Sequence, residues 1–179
     1  MQFKLLFLAG LITVGQAVAQ KTPAKPEMPL DEENKINYTA VMDMSGTDKA
    51  ELFKRAKIFY DTYFSSKTVL QEADSVSGHL EGKAQFDVMK EQKGVKSLNE
   101  RVKYTVMIDV KDNKYRYQIT RVLLQAQSQK PLETYLDEND KDPMHIQALV
   151  DAHAQFEKIE NDLREAMSKP SSKVKKDDW

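Results

Sequence analysis

A chain of 179 residues is one domain's length, and 27 Lys+Arg against 28 Asp+Glu give it no global field for holding a polyanion. The absence of Cys excludes a disulfide scaffold, a thiolate zinc site and a thiol nucleophile. With 40% hydrophobic and 31% charged residues the composition suits a folded soluble domain with polar ends, not a wholly disordered chain.

The chain opens as an export signal. Lys4 supplies the positive start, Leu5–Val14 is an uncharged apolar run, and Ala17-Val18-Ala19 is the small-x-small pattern that a signal peptidase cuts. Ten apolar residues span only about 15 Å as a helix, about half a bilayer core, so no membrane span is expected. Cleavage between Ala19 and Gln20 removes residues 1–19, and no Cys follows the cut, which excludes a lipid anchor. A periplasmic or secreted location follows as the expectation. Residues 20–34, with three of the six prolines, read as an extended linker, and residues 169–179 as a disordered charged tail. Between them, residues 35–168 form a single domain.

Two periods alternate within that domain. Ile36, Tyr38, Ala40, Met42 and Met44 alternate with polar residues, which is the pattern of a half-buried strand. Asp48 and Glu51 have the spacing of a capping box, and Leu52, Phe53, Ala56, Phe59, Tyr60 and Tyr63 make the apolar stripe of a helix over about 48–64. Strands are predicted over Val69–Asp74 and His79–Val88, and the small Gly82 and Ala84 fit a helix pressed close on their face. Arg101–Lys111 and Lys114–Leu123 flank Asp112-Asn113, residue types that tolerate a tight hairpin turn. In that register Asp109 faces Arg116, Val106 faces Ile119 and Val102 faces Leu123. Arg121 then falls on the apolar face opposite Tyr104, which calls for a bulge or a sheet edge. After a polar stretch, Asp142 and Pro143 start a helix striped by Ile146, Leu149, Val150, His153, Phe156, Ile159, Leu163 and Met167. The fold class is therefore α+β: an antiparallel sheet of about five strands, order β-α-β-β-β-β-α, with both helices on one face.

Catalytic constellations are missing from the pattern. His145 and His153 are eight apart, not four, so a helical zinc pair fails, and no metal or cofactor is implied. Asp137–Asp142 lacks the glycine turn and closing Glu of a calcium loop, so it reads as a solvated loop. No GxSxG, P-loop or GxGxxG occurs. Two modification patterns stand out: Asn37-Tyr38-Thr39, an N-glycosylation sequon inside a predicted strand, and Asp74-Ser75-Val76, a turn tripeptide like the acceptor of some bacterial O-glycosylation systems.

Several segments together resemble a known family: Ala17-Val18-Ala19-Gln20, Pro29-Leu30-Asp31-Glu32, Ile36-Asn37-Tyr38, Glu51-Leu52-Phe53-Lys54-Arg55-Ala56-Lys57, Gly82-Lys83-Ala84, Tyr104-Thr105-Val106 and Lys114-Tyr115-Arg116-Tyr117. They are similar to the exported bacterial domain-of-unknown-function family 4468, which has a TBP-like fold, over about residues 30–125. Such domains often carry Gly at the hairpin turn where this chain has Asn113. The resemblance implies a Gram-negative envelope setting and supplies no catalytic residue. A nucleic-acid role is not expected despite the fold name, because Lys83, Lys103 and Arg116 are interspersed with Glu81, Asp87 and Asp109 rather than forming a basic saddle. The expected function is a non-catalytic binding or interaction module that meets an envelope protein, a glycan or a lipid head group through its uncovered sheet face, a sheet edge or the tail, with Lys83, Lys103 and Arg116 as the candidate residues on the sheet face. The alternatives are an enzyme using Asp and His on an envelope component, which a closed pocket gathering Asp87, His79 or another carboxylate would favour, and a purely structural envelope protein.

Overall fold

A computed structural model describes residues 23–64, 69–92, 95–126 and 128–171. The expected signal peptide with Ala19 and Gln20, and the last eight residues of the expected tail, lie outside that range. The elements run β1 (Tyr38–Asp43), α1 (Lys49–Tyr63), β2 (Leu70–Asp74), β3 (His79–Gln92), β4 (Val95–Lys111), β5 (Lys114–Gln125), β6 (Gln129–Pro131), a 3-10 helix (Leu132–Leu136) and α2 (Pro143–Ser168). All pairings are antiparallel, and the sheet order is β1-β5-β4-β3-β2. The short β6 is a sixth strand beyond the five anticipated. It pairs with Leu123–Gln125 of β5, further along that strand than the Lys114–Ile119 stretch held by β1.

Both helices cover one sheet face. Leu52, Ala56, Phe59 and Tyr60 of α1 and Ala152, Phe156, Ile159 and Leu163 of α2 are buried with Val106, Ile108, Tyr117 and Ile119 of the sheet. The close approach anticipated at Gly82 is real. The Tyr60 ring lies so near that a Cβ at Gly82 would sit 2.5 Å from its Cε1, and the Tyr60 hydroxyl donates to the Val106 carbonyl at 2.7 Å. In α2 the apolar stripe is flanked by small residues: Ala148 and Ala152 are fully buried, while Val150 and His153 stay half-buried.

The caps follow the sequence in part. Asp48 Oδ1 accepts the Glu51 amide at 2.7 Å, and Asp142 Oδ1 accepts the Met144 amide at 2.8 Å ahead of Pro143. The reciprocal half of the capping box does not form, because the Glu51 carboxylate holds Arg55 Nε at 2.8 Å and both the amide and hydroxyl of Ser171 at 2.7 Å.

The hairpin keeps the expected register from Lys111↔Lys114 to Thr105↔Thr120, with Asp109 opposite Arg116. Asn113 takes a left-handed φ of 64° at the turn. Its side-chain oxygen accepts the Gly46 amide at 2.8 Å, a bond that a glycine there would lack. Beyond Thr105 the register slips, so Val102 faces Leu124 and Lys103 faces Leu123, which corrects the Val102–Leu123 pairing. The slip is a bulge at Tyr104 and Arg121, where Arg121 has φ 53°.

Three segments differ from their expected character. The Pro-rich residues are packed rather than linker-like from Lys25 onward. Lys25 Nζ donates to the carbonyls of Tyr135 (2.7 Å) and Asp137 (2.5 Å), Met28 is buried, and Asn37 donates to the Pro29 carbonyl at 3.0 Å. The stretch before α2 contributes Leu132 and Tyr135 to the buried core. The start of the expected tail is fastened to α1 through Ser171 and Glu51. In each case a few apolar or hydrogen-bonding side chains within a polar segment supply the contact, and no periodicity announces them.

Candidate functional site

Strand alternation sends the odd-numbered residues Glu81, Lys83, Gln85 and Asp87 of β3 to the face opposite the helices. Their neighbours at Leu80, Gly82, Ala84 and Val88 are buried. Cross-strand pairing then sets rows on that uncovered face: His79 beside Asp109 and Arg116, Lys83 beside Thr105, and Gln85 beside Lys103. Lys83 and Lys103 are therefore diagonal neighbours, as their parity requires.

Arg116 does not join them. It bonds Asp109 Oδ2 through Nη2 at 2.7 Å and Nε at 3.2 Å, while His79 Nδ1 lies 2.7 Å from Asp109 Oδ1. Burial alone would raise the Asp109 pKa, but hydrogen bonds from His79 and Arg116 outweigh it and hold the carboxyl below its ordinary value. Arg116 is thus a member of a carboxylate–imidazole–guanidinium cluster at the hairpin end of the sheet, away from the two lysines.

The bulge supplies a different cation. With its left-handed backbone, Arg121 leaves the apolar face and turns outward, where Nη1 reaches Glu81 Oε1 at 3.1 Å. A cavity of about 470 Å³ lies between α1 and the end of α2. A larger one of about 940 Å³ is lined from the uncovered face by Lys83, Gln85, Lys103, Thr105, Arg121 and Gln129, with Tyr63 and Gln155 contributed by the helix layer. Among the described residues, neither Lys83 nor Lys103 has an ion-pair partner. The structure brings together two of the three expected residues and adds Arg121. Its misfit opposite Tyr104 was legible in the sequence, but the direction its side chain would take was not.

Of the residues named for the enzyme alternative, Asp87 and His79 do not meet, while His79 does meet another carboxylate, Asp109. Asp87 is bound to Arg101 at 2.8 Å and His79 to Asp109. Eight residues of one strand separate Asp87 from His79, about 26 Å of extended chain. His145 Nδ1 lies 2.8 Å from Asp140 with its ring tilted against that of Tyr135, the centroids 3.9 Å apart, and His153 Nδ1 lies 2.6 Å from the Tyr38 hydroxyl. Among the described residues there is no group of three or more His, Asp or Glu able to hold a metal. No helix of the described residues is long and apolar enough to cross a membrane. The Asn37 sequon is set in the fold, with Tyr38 buried and Asn37 Oδ1 enclosed. Ser75 and Val76 stand exposed on the β2–β3 turn.

Two crystal structures are similar to the chain at low identity. One is a DUF4468 family protein from Bacteroides ovatus ATCC 8483: TM-score 0.61, 12% identity, covering 82% of this chain and 93% of that one. The other is a TBP-like protein from Parabacteroides distasonis ATCC 8503: TM-score 0.58, 15% identity, covering 76% and 96%. At these identities the likeness speaks to the fold. No protein of curated function matches the chain significantly. The family model for a domain of unknown function with TBP-like fold matches residues 38–125. That span runs from the first residue of β1 to the last of β5 and holds the whole five-strand path of the sheet. Over residues 38–125 this chain belongs to the DUF4468 family, a domain of unknown function with TBP-like fold.

Proposed function

We propose that the protein is an exported, non-catalytic binding module of a Gram-negative envelope, using the sheet face that its helices leave bare. The observation that carries this is the cavity of about 940 Å³, lined by Lys83, Lys103, Arg121 and the amides of Gln85 and Gln129, with no histidine or serine along its wall. Such a surface can hold and orient a polar group. Export rests on the three-part N-terminus ending at Ala19.

Two measurements test the reading. Intact mass of the protein from an osmotic-shock extract should correspond to a chain starting at Gln20; a chain starting at Met1 overturns the export reading. A binding screen against envelope glycans and lipid head groups should yield a ligand that Gln85→Trp, which fills the cavity from an exposed position, displaces. A ligand indifferent to Gln85→Trp removes the bare face from consideration, and turnover of any screened compound favours the enzyme instead.

A further inference from the structure

Arg121 occupies a backbone conformation that costs a non-glycine residue energy. At φ 53° it is one of three described non-glycine residues with positive φ, the others being Asn34 and Asn113. Asn tolerates that region because its short side chain bonds locally; arginine has no such relief. Glycine would remove the strain at this bulge, yet the chain carries its longest cation there. Strain retained at a bulge commonly re-aims a side chain toward a site. Here the bulge turns the guanidinium to the face where Lys83 and Lys103 already stand.

We propose that Arg121, Lys83 and Lys103 form a binding site for a phosphomonoester dianion, a deepening of the bare-face reading that rests on it. Three adjacent strands each supply one cation: Lys83 from β3, Lys103 from β4 and Arg121 from β5. One carboxylate, Glu81, lies beside Arg121 and leaves two positive charges uncompensated. A single carboxylate ligand would match only one of them. A phosphate dianion matches both, with oxygens enough for the planar guanidinium and two ammonium groups at once. Thr105, almost fully buried on β4 two residues from Lys103 and opposite Lys83, closes the floor. The Glu81 contact is surface-exposed on the arginine side, so an incoming anion can take over guanidinium hydrogens at little cost.

The same chemistry is offered by free phosphate and by the phosphate of a lipid head group. The experiment therefore titrates the mature protein with inorganic phosphate, with acetate, and with vesicles of phosphatidylcholine with or without phosphatidic acid. Phosphate should bind at millimolar concentration and at least about tenfold more tightly than acetate, with affinity falling as pH drops through the second ionisation of phosphate and the dianion becomes a monoanion. Vesicle binding dependent on phosphatidic acid identifies a lipid source; phosphate binding without it identifies a soluble one. Lys83→Ala, Lys103→Ala and Arg121→Gly should each weaken binding about tenfold, the loss of one charge-assisted contact, while Arg116→Ala leaves it unchanged. Arg121→Gly should also melt no lower than the parent, since it relaxes the backbone. This separates a lost ligand contact from a lost fold.

Phosphate and acetate binding equally, or Arg121→Gly retaining full affinity, would overturn the assignment. If phosphate does not bind but a screened glycan does and Gln85→Trp abolishes it, the phosphate site is wrong and the bare face stands. If the glycan ignores Gln85→Trp, both fall.

Discussion

Gly82 shows how much a single position decides in this fold. Its missing side chain lets the Tyr60 ring lie against β3, and the Tyr60 hydroxyl then reaches across the buried layer to the Val106 carbonyl. Burial of that hydroxyl drives its pKa far upward, so it stays a donor throughout the physiological range. A methyl group at Gly82 would also press to 3.1 Å from the Val69 carbonyl, which is backbone and cannot swing away. Gly82→Ala should therefore destabilise by about 1–3 kcal/mol through overpacking. Denaturant unfolding should show a lower midpoint with an unchanged slope, and an unshifted midpoint would mean the ring moves freely.

Among the elements, the junction of α1 with the end of α2 is organised by one carboxylate. Glu51 accepts from Ser171 and Arg55, and Arg55 Nη1 donates to the Met167 carbonyl at 2.7 Å, which satisfies a backbone group left open at the helix end. Hydrogen bonds from Ser171 and then Arg55 lower the Glu51 pKa from 4.5 to about 2. A depressed carboxyl stabilises the fold above its unfolded pKa, and that contribution disappears as pH falls from about 4.5 through about 2. Glu51→Gln should melt below the parent at neutral pH, with the gap narrowing as pH falls below about 4.5 and closing only toward about 2. Equal gaps at pH 7 and in acid would show that packing, not charge, matters there.

At the scale of the molecule, a sheet covered on one face depends on both helices for its core. α2 buries Ile146, Leu149, Phe156, Ile159, Leu163 and Met167. Each large apolar side chain is worth roughly 1.5–3 kcal/mol buried, so six of them rival the roughly 5–15 kcal/mol of a whole domain's stability. Truncation after Asn139 should abolish cooperative unfolding, monitored by circular dichroism. A sharp melt from the truncated chain would mean the sheet and α1 suffice. The bare face is the other consequence of this architecture: its polar rows need no cover, and Lys83 and Lys103 stand on it with no ion-pair partner among the described residues.

The sequence by itself determined the elements whose signals are local. Period-two alternation in Ile36–Met44 and the hairpin strands, period-three-to-four stripes in both helices, the Asp48 and Asp142 caps and the Asp112-Asn113 turn all act between near neighbours, so they are legible one segment at a time. The misfit of Arg121 was visible for the same reason. What tertiary structure alone decided were contacts with no period: Lys25 on the Tyr135 and Asp137 carbonyls, Ser171 on Glu51, Leu132 in the core, and the side of the sheet to which Arg121 turns. Arg116 and Arg121 are both arginines of one strand, five residues apart. The regular register pairs Arg116 with Asp109, and only the bulge at Arg121, a property of how β4 and β5 share their hydrogen bonds, brings Arg121 to the cavity with Lys83 and Lys103.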